Sequence, residues 1–379
     1  MQYRKFGSID YKASTLGFGA MRFPTIDNDL KQINEDKAIS MIRYAIDHGI
    51  NYVDTAYPYH GGNSEFVVGK ALKDGYRQKT KLATKFPIWL PKTLQDCDKY
   101  LEEQLKKLDV DSIDFYLIHG LNKERWQKVL DLDVLKFLQD AQRRGKIHYI
   151  GFSFHDDLEL FKEIIDFFDW DFCQIQFNYM DEHYQAGVEG LKYAASRNIP
   201  VVVMEPLQGG NLAKESPEDI QRLWNQTDIK RTPAQWGFRW VCNHPEVKVV
   251  LSGMSTMEQI KENIETFEDA LPNSLTEKEL ELIGKVRDKY EEKMKVRCTE
   301  CKYCMPCPNG VNIPQNFKIY NRASMYQTLD EYQKSYDNLE KEKASASFCV
   351  ECRKCEKICP QRIPIIHKLK EVNGVLGNK

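Results

Sequence analysis

Four polar side chains and eight thiols are the groups in this chain whose types and spacing could do chemistry. Asp54 ends the run Asn51-Tyr-Val-Asp54, and Tyr59 follows five residues on. Lys85 ends Leu82-Ala-Thr-Lys85, and His119 ends Tyr116-Leu-Ile-His119. Taken singly, each has a plain explanation. A strand-end Asp caps a turn, a lone Lys is solvated, and a lone His is satisfied by a neighbour. Their occurrence on successive β-rich runs is what makes them a candidate set. The thiols are more regular. Eight of the eleven cysteines fall in two runs, Cys298, Cys301, Cys304, Cys307 and Cys349, Cys352, Cys355, Cys359, each followed by Pro. Iron–sulfur clusters need soft thiolate ligands, and three cysteines at two-residue gaps can wrap one face of a cluster.

The second run reads C-x2-C-x2-C-x3-C-P, the spacing of bacterial two-cluster ferredoxins. Zinc sites use paired C-x2-C or Cys with His, which is not this form. Disulfides suit oxidising compartments, and the opening Met1-Gln-Tyr-Arg-Lys5 is polar and charged rather than an apolar signal segment. Cys97, Cys173 and Cys242 are scattered and read as ordinary structural residues. The 379 residues suit one large domain and a small one, and 42% hydrophobic content allows a sizeable core. A net charge of −2 gives no global pull toward nucleic acid or membrane. No apolar run approaches the roughly 18 residues that span a bilayer. A cytoplasmic protein is expected, with no nucleic-acid or membrane partner.

Up to about residue 270, β-rich runs alternate with helical patterns eight times. Strands are expected over Ser14–Met21, Asn51–Ala56, Lys81–Phe86, Ser112–His119, His148–Phe154, Phe172–Tyr179, Pro200–Pro206 and Val247–Gly253. Pro200-Val-Val-Val-Met204 is nearly all apolar, as a strand buried on both faces must be. The helical stretches, one of them Trp126–Arg144, carry apolar residues at spacings of three and four. Eight such units predict an α/β fold, a (β/α)8 TIM barrel. A doubly wound sheet is the alternative, but no G-x-G-x-x-G follows the first strand. Barrel enzymes place their chemistry at the carboxyl ends of the strands. Asp54, Lys85 and His119 stand at three such ends. A polar helix over about Thr276–Met294 leads to Cys298, and Ile313–Ala346 reads as one or two surface helices between the cysteine runs.

The order Tyr3-Arg-Lys-Phe-Gly7, Leu16-Gly-Phe-Gly-Ala-Met21, Asp54-Thr-Ala-x-x-Tyr59, Ser64-Glu65, Ala83-Thr-Lys85 and Leu117-Ile-His119 resembles the aldo-keto reductase family, in its predicted-oxidoreductase branch. The resemblance implies the same barrel and a nicotinamide cofactor, NADP or NAD, bound without a Rossmann domain. It implies that Tyr59 is the general acid for a carbonyl substrate. A phenol's pKa of about 10 is poorly matched to neutral pH, and Lys85 beside it would lower that value. Asp54 would hold Lys85 charged, and His119 would hydrogen-bond the carbonyl. The resemblance further implies cofactor contacts from Gly19, Ala20 and Met21. It puts Ser153 and Gln174 on the nicotinamide carboxamide. Met204 stands where an aromatic residue often stacks on that ring, and Pro206 and Leu207 belong to the loop over the pyrophosphate. Gly253, Ser255, Gln259 and Asn263 match the adenosine side. Phe154 stands where the family usually has Asn, and Gln259 where NADP-dependent members often carry Arg.

The expected organisation is a barrel over 1–275, a connecting helix over 276–297 and a small helical ferredoxin-like domain over 298–379 with two [4Fe-4S] clusters. The expected function is NAD(P)H-dependent reduction of a small-molecule carbonyl compound, with a one-electron redox protein as a further partner. The alternative is a non-enzymatic electron-transfer or redox-sensing subunit whose barrel is a docking scaffold.

Overall fold

The protein is described by a computed structural model, and the residues described are all but Asn28, Thr299, Lys302, Asn378 and Lys379. By packing, the chain forms two units. One comprises Met1–Lys214 with Arg231–Leu280, the other Glu215–Lys230 with Glu281–Lys379.

The first unit is a closed barrel of eight parallel strands. An antiparallel hairpin, β1 (Tyr3–Lys5) and β2 (Lys12–Ser14), precedes it. The staves are β3 (Leu16–Gly19), β4 (Tyr52–Asp54), β5 (Lys81–Phe86), β6 (Ile113–Leu121), β7 (Ile147–Phe154), β8 (Phe172–Gln176), β9 (Val201–Met204) and β10 (Val247–Ser252), with β10 closing on β3. Each expected strand is present, most of them shorter at the ends. β6 runs two residues past His119. The apolar staves are buried on both faces, and β5 shows how: five of its six residues are buried.

The hairpin was not foreseen. Phe6, in its turn, is fully buried and packs on Phe115, Phe172 and Tyr52 at centroid distances of 5.1, 6.0 and 6.3 Å. Tyr52 and Phe172 each begin their strands. The hairpin therefore seals the amino-terminal end of the barrel and leaves the carboxyl end for chemistry. Outer helices begin on side-chain caps. Thr93 and Asp96 form a capping box for Leu94–Leu108, and Thr232 and Gln235 another for Pro233–Cys242. The helix expected over Trp126–Arg144 is two, Lys123–Asp131 and Val134–Arg143. Asp133 between them is left-handed, with φ of 52°.

The second unit is helical, with Ile313–Tyr326, Leu329–Lys341 and Ile365–Leu376 as its main helices. Buried Asn316 donates to the carbonyls of Asn312 and Ala344 and accepts from Ala346 N. One turn on, Asn321 accepts from Lys295 N and Val296 N and donates to Val296 O. One helix thus fixes the approach to both cysteine runs. Residues Glu215–Lys230 belong to this unit by packing. Among the described residues, no helix is long and apolar enough to cross a membrane.

Candidate active site and cysteine centre

β4 and β5 are paired with Asp54 opposite Ala83, so Asp54 at the end of β4 and Lys85 near the end of β5 stand on neighbouring staves. Lys85 Nζ donates to both Asp54 oxygens at 2.6 and 2.8 Å, to Thr55 O at 2.9 Å and to Tyr59 OH at 3.3 Å. Both charged side chains are almost wholly buried. An ammonium taken out of water needs such a complete set of acceptors. Burial opposes its charge, yet Asp54 and Tyr59 together hold the lysine above its ordinary pKa.

Tyr59 opens a short turn, Tyr59–Gly62, directly after β4 and its loop. His60 pins that turn: its Nε2 accepts from Phe23 N at 3.1 Å and its Nδ1 donates to Leu30 O at 2.7 Å. The Tyr59 phenol departs from expectation. Burial raises its pKa, Lys85 pulls it back, and burial wins. His119 lies edge-on to Tyr59 with centroids 6.1 Å apart. Burial, then Lys85, Arg125 and His155, drive its pKa well below the ordinary imidazole value, so the ring is neutral. Its Nδ1 is buried without a hydrogen-bond partner. A neutral imidazole can donate or accept, and this one has capacity to spare.

Residues behind the cluster hold it. Ser64 Oγ donates to Ala20 O and lies 2.9 Å from Thr55 Oγ1. Glu65 accepts from Thr84 Oγ1 and from Gln104 Nε2, and the same Gln104 amide reaches Lys85 O. Trp89, in the loop after β5, stands edge-on to His119 at 5.2 Å, with the Arg125 guanidinium 5.1 Å from its ring. The sequence offers Trp89 only as a large aromatic in a loop. Arg125 gives no signal there, because its role depends on a turn of helix beside β6.

The cofactor candidates divide into four groups. Ser153 and Gln174 are opposite each other on β7 and β8, both buried. Ser153 Oγ accepts from Gly120 N at 2.7 Å. Gln174 Nε2 reaches Met204 Sδ at 3.3 Å, and its Oε1 is buried with no partner. An orphaned amide oxygen in a buried site suits a ligand with an N–H to give, such as a carboxamide. Pro206 and Leu207 lead into Gln208–Ala213, a turn in which Gly209 and Gly210 are left-handed. On the third side, Asn263 Nδ2 donates to Ser252 Oγ, and Gln259 Oε1 accepts from Ser255 N beyond Gly253. Gly19 ends β3 and Ala20 and Met21 follow it, with Ala20 N donating to Asp54 O.

In the second unit, Cys298, Cys301, Cys304 and Cys359 line one void together with the apolar side chains of Ile313, Phe317, Ile363 and Ile365. Cys307 lies beyond a cis Met305–Pro306 bond. Asn309 Nδ2, two residues on, donates to Phe348 O at 3.1 Å, which brings this loop against the start of the second run. Among the described residues, no three or more His, Cys, Asp or Glu gather as a single metal ion would require. As free thiols, Cys304 and Cys355 are pushed up to about 11, chiefly by burial. Cys97, Cys173 and Cys242 are buried.

A family model described as the aldo/keto reductase family matches residues 15–288, and one described as a 4Fe-4S dicluster domain matches residues 297–363. A probable aldo-keto reductase 1 of Glycine max is 35% identical over 160 residues, 39% of this chain and 44% of that protein. The chain thus spans less than half of that relative. The NADH-specific methylglyoxal reductase of Escherichia coli (strain K12) is 26% identical over 309 residues, 68% of this chain and 91% of that one. Among solved structures, an aldo-keto reductase of Bacillus halodurans in its holo form superposes with a TM-score of 0.63 at 27% identity, covering 76% of this chain and 96% of that one.

Proposed function

The chain belongs to the aldo/keto reductase family, and from that premise we propose that it reduces the carbonyl group of a small aldehyde or ketone at Asp54, Tyr59, Lys85 and His119. It is an aldo-keto reductase-type oxidoreductase with a C-terminal 4Fe-4S domain. The observation that carries the reading is Lys85 Nζ, bonded at once to both Asp54 oxygens and to Tyr59 OH. When bound, a nicotinamide supplies the hydride and an iron–sulfur cluster passes single electrons. Tyr59 gives its proton to the carbonyl oxygen, and Lys85 stabilises the phenolate left behind. Neutral His119 orients the oxygen. Ser153, Gln174 and Met204 receive the nicotinamide end. Gly19, Ala20, Met21, Pro206 and Leu207 border its path, and Gly253, Ser255, Gln259 and Asn263 take the adenosine end.

The cysteines fit a cluster in their chemistry and their spread around a void, rather than around a point. We assign one [4Fe-4S] cluster to Cys298, Cys301, Cys304 and Cys359, and a second to Cys349, Cys352, Cys355 and Cys307. A hydride carries two electrons and a cluster one, so the clusters serve a separate one-electron protein rather than the carbonyl directly. Cys301 and Cys352 are exposed, which leaves both runs within reach of such a partner. The functional division follows: barrel over 1–275, connector over 276–297, cluster domain over 298–379. A cytoplasmic setting, where thiols stay reduced, goes with this chemistry.

The test is anaerobic purification with visible and EPR spectra, then NADH and NADPH oxidation against a panel of aldehydes and ketones. Turnover with at least one carbonyl compound, lost in Tyr59→Phe, is expected. No nicotinamide binding at all would sink the reading. Gln259 lacks the cationic grip that Arg gives a 2′-phosphate. NADH and NADPH should therefore bind with comparable affinity, and a hundredfold preference for NADPH would oppose this.

A further inference from the structure

Four cations stand about the second cysteine run: Arg353, Lys354, Lys357 and Arg362, all of them exposed. Among the described residues, none of the four is ion-paired. The acids beside them are already engaged. Glu351 pairs with Lys370 Nζ at 2.7 Å, and Glu356 accepts from Ile366 N at 3.0 Å. The positive charge here is therefore uncompensated. Apolar side chains lie among the cations, Val350 at 59% exposure and Ile358 at 52%. The short helix Lys354–Ile358 gives this patch a direction. Residues three and four apart share a helix face, so Lys354, Lys357 and Ile358 stand together. Glu356 is on the opposite side, where its carboxylate meets the start of the helix Ile365–Leu376. Half-buried Cys355 belongs to the same turn, and Cys352 just before it is exposed.

We propose that this face docks a small acidic one-electron carrier protein, which rests on the reading of the clusters as serving a one-electron partner. Charge argues for the occupant. Unpaired Lys and Arg steer a carrier whose redox centre is ringed by carboxylates, and Val350 and Ile358 supply apolar contact once it arrives. Redox encounters use some of the smallest protein interfaces, so a patch built on one short helix suffices. Distance argues for the place. Electron transfer slows steeply with separation, and this face shares its turn with Cys355, a ligand assigned above to the second cluster. In the exchange one electron passes between carrier and cluster. One is oxidised by one electron as the other is reduced by one, and no atom moves. The chain's net charge of −2 alone would repel an acidic carrier, so the sign of the salt response separates the patch from the whole molecule. In the sequence the acids and bases of this segment look balanced. Only the fold shows that Glu351 and Glu356 are spent elsewhere.

The test uses iron-loaded full-length protein, reduced, freed of reductant and mixed anaerobically with an oxidised acidic flavodoxin, or with a basic cytochrome c as control. Cluster absorbance follows electron exchange, and calorimetry follows complex formation. Raising salt from about 50 to about 500 mM should slow exchange with flavodoxin roughly 10-fold, and should not slow it with cytochrome c. Lys354→Glu with Lys357→Glu should slow the flavodoxin reaction by about 10-fold at low salt and weaken the complex, whereas Lys334→Glu with Lys341→Glu, exposed positions on the helix Leu329–Lys341, should leave both within about twofold. Iron content and EPR spectra check that each variant keeps its clusters, and carbonyl turnover should be unchanged in both. A flavodoxin rate that is flat or rises with salt overturns the proposal, in wild-type protein alone. Equal losses in the two variant pairs overturn it too. A rate loss fully accounted for by a shifted cluster potential would mean that the lysines tune the cluster, not the docking. Self-association lost in Lys354→Glu with Lys357→Glu would give the face to a second copy of the chain. If neither carrier exchanges electrons with the clusters, the one-electron reading itself falls, and the docking face with it.

Discussion

At Tyr59 two opposing effects meet, and their balance sets how the proposed acid behaves. Burial raises the phenol's pKa, and the Lys85 ammonium at 3.3 Å lowers it without cancelling the rise. A phenol whose pKa is raised keeps its proton to higher pH. Reduction, which consumes that proton, should therefore persist on the alkaline side of neutrality. Tyr59→Phe removes the donor alone and should cut turnover by about 10²–10⁴-fold while cofactor affinity stays near wild type. Near-full turnover in that variant would show that another group gives the proton. Lys85→Met removes the opposing pull, so the phenol becomes a weaker acid. Turnover should fall, and any alkaline limb of the pH–rate profile should move up. An unmoved limb would mean the pair is not coupled. Asp54, Lys85 and His119 were legible because a barrel concentrates chemistry at strand ends. The net direction of the Tyr59 shift was not, because burial is a property of the folded site. The contact of Trp89 with His119 was not legible, since nothing in a loop sequence fixes what a ring faces.

At the scale of elements, apolar alternation revealed the barrel and hid two of its details. β5 is found over the expected Lys81–Phe86, where every residue but Lys81 is buried. The break at Asp133 was invisible, since the apolar positions continue through Val129, Val134, Phe137 and Leu138. Periodicity reports which face is buried, not whether the backbone is unbroken. The β1–β2 hairpin was missed for a related reason: three-residue strands are too short to show a period. Its contribution is carried by Phe6, buried in a cluster with Tyr52, Phe115 and Phe172. Phe6→Ala leaves a cavity that the rigid staves cannot close, and should cost about 3–5 kcal/mol of stability. Urea unfolding measures this. A loss below about 1 kcal/mol would mean that the barrel end is sealed without the hairpin.

At the scale of the whole chain, the question is which cysteine serves which cluster. The two-cluster ferredoxin pattern of the tail implies that the fourth cysteine of each run crosses to the other cluster. In the second unit, Cys359 lines the same void as Cys298, Cys301 and Cys304. The bond from Asn309 to Phe348 draws the segment after Cys307 toward the second run. The physical cause is reach. Three thiolates from one tight loop occupy one face of a cluster, and the remaining corner points away from that loop. A cysteine from the other run is better placed to meet it, as in two-cluster ferredoxins. The cysteine pattern was enough to read cluster chemistry and to expect the crossed pairing, whereas the helix that positions the two runs, Ile313–Tyr326, shows only in the fold. Its Asn316 and Asn321 fix the approach to each run. A set of Cys→Ser variants separates the two patterns. Replacing Cys349, Cys352 and Cys355 together should leave one cluster, held by the first run. Adding Cys359→Ser to that protein should then cost it iron and change its EPR signal after reduction, whereas adding Cys307→Ser should leave both unchanged. The reverse result, with Cys307 essential and Cys359 dispensable, would show that each run closes its own cluster and that the shared void has another use.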